Sequence, residues 1–349
     1  MKKNILIRCD AGHKSGLGHL IRCKAIAEIL KSEYDYKIKY CMIREKGNIK
    51  DLIKDQIYFK NSSKKYHSEK DWIIDLITNN SIDLIIFDIR TNLSYKDILE
   101  IKKHNVIIAS IDDSSERRLV SNLVFYPPVP QLKTLNWNGF KGEKYIGWDW
   151  VPIGLEFSKN NKSPTRKDSF NILKILISMG GSDPLGLTII ALKSLNKIKS
   201  NIIVTIIVGN SFNKFEELKK EVNSSNKRVK IIINPKNIAI IMSKHDFAIC
   251  SFGMMAYELA SQSIKSCYLC ITEDHAISAS ALEKSGFGIS LGNIKNLSKV
   301  SITSSIYQLV QEEIKNLDIS NKKFNILSNK IDGLGSLRIA NIIYNSLNQ

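Results

Sequence analysis

No stretch of this sequence approaches the roughly 18 consecutive apolar residues that a membrane-crossing helix needs, which argues against an integral membrane protein. The apolar run at the N-terminus, Asn4 to Ile7, has a strand's length and does not read as a signal peptide, so a cytoplasmic location is expected. Nor is there a run of five or more basic residues, although 51 Lys and Arg against 34 Asp and Glu give a formal net charge of +17. A basic protein invites a nucleic-acid reading, but here the lysines are scattered, so no nucleic-acid partner is expected. The excess charge is either a lysine-rich surface or a means of steering a small polyanion. No carboxylate cluster has metal-ligand spacing, and the single CxxC pair, Cys267 and Cys270, lacks a second pair at zinc spacing. Neither a metal nor a cofactor is expected. Four of the six cysteines, Cys9, Cys41, Cys250 and Cys267, sit in or beside apolar strand-like runs, as small hydrophobes do.

What is present is a chain of 349 residues, long for one domain and comfortable for two. The first half alternates continuous apolar runs with helical periodicity. Strands are predicted at 4–9, 36–43, 83–88, 106–111 and 120–125, and helices at 19–30, 71–77 and 95–102. The second half repeats the rhythm. Strands are predicted at 172–179, 202–208, 229–233, 247–250 and 266–272, and helices at 185–195, 215–222, 238–242, 254–260, 276–284, 301–314 and 336–347. Apolar strands without polar alternation, separated by helices, mean parallel sheets covered on both faces, the doubly wound α/β pattern. Between the halves lies SKNNKSPTRKDS, polar and almost without apolar residues, which predicts a linker at 158–169. The expected domains are therefore 1–157 and 170–349, leaving open that the last helix packs back on the first domain. Two Rossmann-like domains joined by a hinge would form a central cleft, and ligands meet such sheets beyond the carboxyl ends of their strands. A monomer is expected.

Four segments at predicted strand ends carry candidate chemistry. The first, CDAGHKSGLGHLIRC (residues 9–23), follows the first strand and opens the first helix. It is neither a GxGxxG fingerprint nor a Walker loop, which would close with Gly-Lys-Ser/Thr. His19 begins its helix directly after glycines. A helix N-terminus disfavours added positive charge, so a histidine there suits a general base; a capping or packing role is the alternative. The second, MGGSDP (179–184), places two glycines at a strand end, with Ser182 or Asp183 able to cap a helix that has Pro184 first. The third, SFGMMAYE (251–258), has loop amides that could hold a diphosphate at a helix N-terminus, and Glu258 could accept both hydroxyls of a ribose or merely complement the helix dipole. The fourth is Thr272-Glu273-Asp274-His275, where Asp274 is either a polar contact or a helix cap.

The run IRCDAGHKSGLGHLIRCKAIA resembles the opening of the PseG/SpsG-like family of nucleotide-sugar hydrolases, and MGGSDP and FGMMAYELA resemble that family's two nucleotide-side motifs. SGFG followed by ISLG fits its closing strand, so the match runs in order through nearly the whole chain. The resemblance implies a GT-B fold similar to the MurG glycosyltransferase, with two Rossmann-like domains facing a cleft, and UDP as the nucleotide. It implies that His19 is the catalytic base and that Asp10, Gly16 and Gly18 shape its loop, with Arg22 among the substrate contacts. Gly180, Gly181 and Ser182 would form part of the cleft wall. Gly253, Met254 and Met255 would offer amides to the diphosphate, and Glu258 would hold the ribose. The chain departs from the family at two places. Asp88-Ile89-Arg90 stands where the family has Asp-His-Tyr, and Asp274-His275 stands where it has Asn-Gln. Arg90, Asp274 and His275 are therefore expected to contact a different sugar, or Arg90 and Asp274 to pair with each other.

The implied reaction is metal-independent hydrolysis of a UDP-linked deoxy or acetamido sugar at the anomeric C–O bond, releasing UDP and free sugar. It would serve biosynthesis of a pseudaminic-acid-like nonulosonic acid or a related surface glycan. A GT-B glycosyltransferase using a UDP-sugar donor is the alternative, because a fold does not fix the acceptor. A silent nucleotide-sugar binding protein is a third reading, against which His19 argues.

Overall fold

A computed structural model describes residues 2–12, 16–43, 49, 52–60, 66–158, 172–315 and 330–349. All but the first residue of the expected linker, and the His13-Lys14-Ser15 part of the first loop, lie outside these. The chain divides into two compact units: residues 1–155 with 334–349, and residues 156–333. Among the described residues no helix is long and apolar enough to cross a membrane.

The first unit is built on seven strands: β1 (Asn4–Cys9), β2 (Lys37–Ile43), β3 (Gln56–Lys60), β4 (Leu84–Asp88), β5 (Ile107–Ile111), β6 (Leu123–Tyr126) and β7 (Glu143–Ile146). They lie in the order β3-β2-β1-β4-β5-β6-β7, and every pairing is parallel. The strand order reverses between β1 and β4, which register Cys9 opposite Asp88. Crossover helices cover both faces. α1 (Gly18–Ser32) buries Leu20, Cys23, Ile26, Ala27 and Leu30 on one face, a helical stripe seated on Ile5, Ile7 and Cys9. α2 (Glu69–Asn79) and α3 (Tyr95–Lys102) cover the other face, burying Trp72, Ile73, Ile98 and Ile101 against Leu6, Ile85 and Phe87. Alternate residues of β1 thus feed opposite cores, which is why its apolar run is unbroken.

The second unit carries β8 (Leu173–Ser178), β9 (Ile202–Val208), β10 (Arg228–Ile233), β11 (Phe247–Ser251), β12 (Lys265–Cys270) and β13 (Gly288–Asn293) in the order β10-β9-β8-β11-β12-β13, again all parallel. Its helices are α4 (Leu187–Asn196), α5 (Phe215–Asn223), α6 (Ile238–Met242), α7 (Met254–Ser261), α8 (Glu273–Lys284) and α9 (Lys299–Lys315). α4 and α9 pack together over one face of the sheet. The last helix, α10 (Gly335–Asn348), belongs to the first unit: Ile339, Ala340 and Ile343 are fully buried in the core beneath α1. Tyr344 stacks on Tyr34 at 4.4 Å between ring centroids.

Several predicted boundaries shift for local reasons. The strand expected at 120–125 begins at Leu123, because Ser115 caps a 3-10 turn over Glu116–Val120. The helix expected from Ala276 starts at Glu273, because the Thr272 hydroxyl accepts the His275 amide and so serves as the cap in place of Asp274. Cys267 and Cys270 both lie on β12, where residues three apart point to opposite faces. Burial pushes the Cys267 thiol up to about 12, as befits a core residue.

Candidate functional site

Both sheets reverse their strand order once, and the loops at those two switch points hold most of the candidate residues. In the first unit, β1 hands over to a loop in which Gly12 and Gly16 exchange two backbone hydrogen bonds at 2.9 and 3.1 Å. Gly16 sits at φ +71°, a left-handed conformation that costs glycine least. Helix α1 then starts at Gly18 with Leu17 as its N-cap and no side-chain cap, leaving first-turn amides uncapped beside His19.

The His19 ring reaches the carboxyl end of β4. Its Nδ1 lies 2.6 Å from Asp88 Oδ1. Arg22, one turn further along α1, grips the same carboxylate with two donors, Nε to Oδ2 and Nη2 to Oδ1, both at 2.5 Å. The Cys23 thiol donates to Oδ2 at 3.5 Å. Asp88 is fully buried. Burial alone would raise its pKa, but Arg22, His19 and their hydrogen bonds overcome this and hold the carboxyl well below the usual range. An ionised Asp88 has only lone pairs to offer, so Nδ1 must carry the proton and donate it; this fixes the tautomer by chemistry. Arg22 Nη2 lies 3.1 Å from Nδ1 because both donors converge on one oxygen. In the neutral ring the lone pair then lies on Nε2, for which no described residue supplies a hydrogen bond. The His19 side chain is about one-fifth exposed. A histidine held by a buried carboxylate has the geometry that a general base requires.

The network continues. Arg22 Nη1 donates to Asp112 Oδ2 at 3.3 Å. Arg90 donates to the same oxygen at 3.2 Å and to the Asp112 carbonyl at 2.6 Å. The loop carrying Arg90 is clamped from beneath by buried Arg117, which donates to the carbonyls of Ile89, Thr91 and Leu93 and pairs with Asp113. His19, Arg22 and Arg90 are thus brought together through Asp88 and Asp112. Sequence reasoning missed both carboxylates as site residues. Arg22, expected to touch substrate, donates to these two carboxylates from three of its five N–H groups. Arg90, for which Asp274 was weighed as a partner, is paired with Asp112 inside its own unit. Asp10 belongs to a different cluster: it takes both ends of the Arg8 guanidinium at 2.6 and 3.0 Å and the Ile43 amide at 3.0 Å, while Arg8 Nε reaches Glu69 at 2.9 Å. That cluster pins the ends of β1 and β2.

In the second unit, the loops following β8, β9 and β11 abut. A side chain at Gly209 would meet the Gly181 backbone at 2.6 Å, and the nearest neighbour of a Cβ at Gly180 would be Ser251 Oγ at 3.8 Å. Asp183, not Ser182, accepts the first amides of α4, those of Leu187 and Thr188, at 2.9 Å each. Pro184 therefore does not open the helix; Gly186, left-handed at φ +69°, is its N-cap. Gly253 is the N-cap of α7, with no side-chain cap and open space where a Cβ would be. Met254 and Met255 form the first turn, half-buried. Phe252 packs its ring 5.8 Å from that of His275, so the loop after β12 adjoins the loop after β11. Asp274 is exposed on the first turn of α8. Glu258, one turn into α7, is buried, and its carboxylate has no hydrogen-bond or ion-pair partner among the described residues. Burial, with a smaller contribution from Glu156, pushes its pKa up to about 8. A buried carboxyl without donors is costly unless something supplies them.

No known family's sequence profile matches the chain. A Methanocaldococcus jannaschii protein of uncharacterised function, MJ1062, is 26% identical over 263 residues, 73% of this chain but 53% of its own length, so the chain spans about half of that relative. The spore coat polysaccharide biosynthesis protein SpsG of Bacillus subtilis is 22% identical over 292 residues, covering 82% of this chain and 83% of SpsG. Among solved structures, MurG of Acinetobacter baumannii superposes with a TM-score of 0.69 at 13% identity, covering 98% of this chain and 99% of MurG. MnaA of S. aureus in complex with UDP gives 0.66 at 14% identity, covering 99% and 97%. The chain has the GT-B fold: two parallel-sheet α/β domains of the kind seen in MurG and in UDP-N-acetylglucosamine 2-epimerases.

Proposed function

We propose that this protein is a UDP-sugar enzyme in which His19 acts as general base, and that the reaction is hydrolysis of the anomeric C–O bond to give UDP and a free sugar. The observation that carries the reading is the Asp88–His19 pair at 2.6 Å, which leaves Nε2 of the neutral ring as the acceptor at the switch point of the first sheet. Diphosphate is a good leaving group and needs electrostatic stabilisation more than a proton. One base is then sufficient, unlike the two carboxylates of common glycosidases. His19 takes a proton from water as the oxygen attacks the anomeric carbon, the C–O bond to the diphosphate breaks, and Asp88 stabilises the imidazolium that forms. Attack opposite the leaving group inverts the anomeric centre.

The nucleotide is assigned to the second unit. The uncapped N-terminus of α7 at Gly253 and the adjoining loop at Gly180 and Gly181 suit a diphosphate. Glu258 lacks donors, and two ribose hydroxyls would supply them. The sequence resemblance to the PseG/SpsG-like hydrolases, the distant likeness to SpsG and the UDP bound by MnaA support the choice of UDP and a role in surface-glycan synthesis. The test is incubation with a panel of UDP-sugars and NMR of the products. Free sugar of inverted configuration and UDP, formed without added acceptor, is the expected result. Turnover only when a hydroxyl acceptor is added would make the protein a glycosyltransferase.

A further inference from the structure

The carboxylate of Asp112 serves two guanidiniums at once. Its Oδ2 accepts from Arg22 at 3.3 Å and from Arg90 at 3.2 Å, and its carbonyl accepts from Arg90 at 2.6 Å. Asp112 makes these contacts from a left-handed backbone, φ 52°, which turns carbonyl and side chain toward the same guanidinium. Aspartate and asparagine are the residues other than glycine that adopt this conformation most readily. Arg90 is about half exposed, and these are its only hydrogen bonds among the described residues. A guanidinium has five N–H groups, so three remain in a fixed plane. The charges of the cluster cancel: Arg22 and Arg90 against Asp88 and Asp112. An anionic substituent arriving at Arg90 would add a third negative charge to two positive ones and compete with Asp112 for a guanidinium already paired. A neutral hydroxyl or acetamido oxygen meets no such competition.

We propose that Asp112 is a positioning residue that holds Arg90 as a charge-neutralised hydrogen-bond fork, and that this fork selects against a carboxylate on the sugar. The inference rests on the UDP-sugar reading above. Asp112 also ties this fork to the base, because the same oxygen restrains Arg22, which in turn holds Asp88 against His19.

Calorimetric titration of the full chain with UDP, UDP-glucose and UDP-glucuronic acid tests it; the two sugars differ only in a hydroxymethyl against a carboxylate. The wild type should prefer UDP-glucose by about tenfold or more, the weight of a charge-assisted hydrogen bond. Asp112→Asn is the informative variant, since asparagine tolerates the left-handed backbone and keeps one acceptor while losing the charge. It should retain UDP affinity and thermal stability near those of the wild type, and its preference should move toward UDP-glucuronic acid by about tenfold as Arg90 is released. A residue that merely supported the fold would change all three affinities together. Wild-type binding of UDP-glucuronic acid as tight as that of UDP-glucose, or an unchanged preference in Asp112→Asn, overturns the inference while leaving the nucleotide reading intact. Failure of UDP itself to bind sinks that reading, and this inference with it.

Discussion

Replacing Asp88 by asparagine preserves shape and tests the site at its centre. Every approach to the carboxylate is made by a donor: His19 Nδ1 and Arg22 Nη2 at Oδ1, Arg22 Nε and the Cys23 thiol at Oδ2. An amide nitrogen must therefore face a donor whichever way it is turned. With the nitrogen toward His19, the ring is driven to the other tautomer and Nε2 gains the proton it is meant to accept. With the nitrogen toward Arg22 Nε, the tautomer survives but the counter-charge of the imidazolium is gone. Turnover should fall by about 10²–10⁴-fold in either case. Arg22 is left buried without its main counterion, a loss of about 3–5 kcal/mol when one partner of a buried pair is removed. The remaining contact to Asp112 at 3.3 Å places the expected loss at the lower end. The pH dependence has a definite sign. The folded-state pKa of Asp88 lies below its unfolded value, so the carboxylate contributes stability at neutral pH that is lost as pH falls below the usual carboxylate range. The variant should lack that acid limb in urea midpoints measured from pH 7 to pH 3. Arg22→Met combined with Asp88→Leu should recover most of the stability and none of the turnover, separating folding from chemistry. An Asp88→Asn protein with wild-type turnover would refute the dyad.

His19→Ala should cost turnover by about 10²–10⁴-fold while leaving thermal stability and UDP affinity near wild type, because Asp88 keeps both bonds to Arg22; unchanged product formation by NMR would remove the proposed base. Glu258 behaves oppositely to Asp88: its pKa is raised to about 8 from an ordinary value of 4.5, so its contribution to stability is present below pH 4.5 and lost as pH rises through about 8. Glu258→Gln should therefore melt higher than wild type at pH 9, by an amount corresponding to a few kcal/mol, and bind UDP more weakly; a melting difference independent of pH between 5 and 9 would count against a buried, donor-starved carboxyl.

The contrast between elements that were legible in the sequence and those that were not follows the range of the interactions involved. β1, β9, α3 and α6 begin and end at the predicted residues, because their signals are local: unbroken apolar runs, or Ser94 and Asn237 standing as caps before a helix. The edge strands β3 and β7 were not anticipated. QIYFK and EKYI carry strand-favouring Ile, Tyr and Phe, but they are short, paired on one side only and half-buried or exposed, so they lack the unbroken apolar run that marks the central strands. The site is harder still. His19 and Asp88 are 69 residues apart, and Arg22 and Asp112 are 90 apart. Their meeting depends on β4 adding beside β1 on the side away from β2, a choice of strand order that no local pattern encodes. What is local is the position of the carboxylates. Asp88 ends the buried run LIIFD, and Asp112 directly follows β5. Asp88 is kept in a buried strand's final position at a desolvation cost that no packing gain offsets. In a doubly wound sheet that position is the ligand-binding edge. Such a residue therefore needs a partner of opposite charge, and the basic residues of the helix following the first strand are within reach once the order reverses. On that reasoning Arg22 implies Asp88 as firmly as Asp88 implies Arg22, and the histidine one turn before the arginine is placed on the same carboxylate by the helix itself.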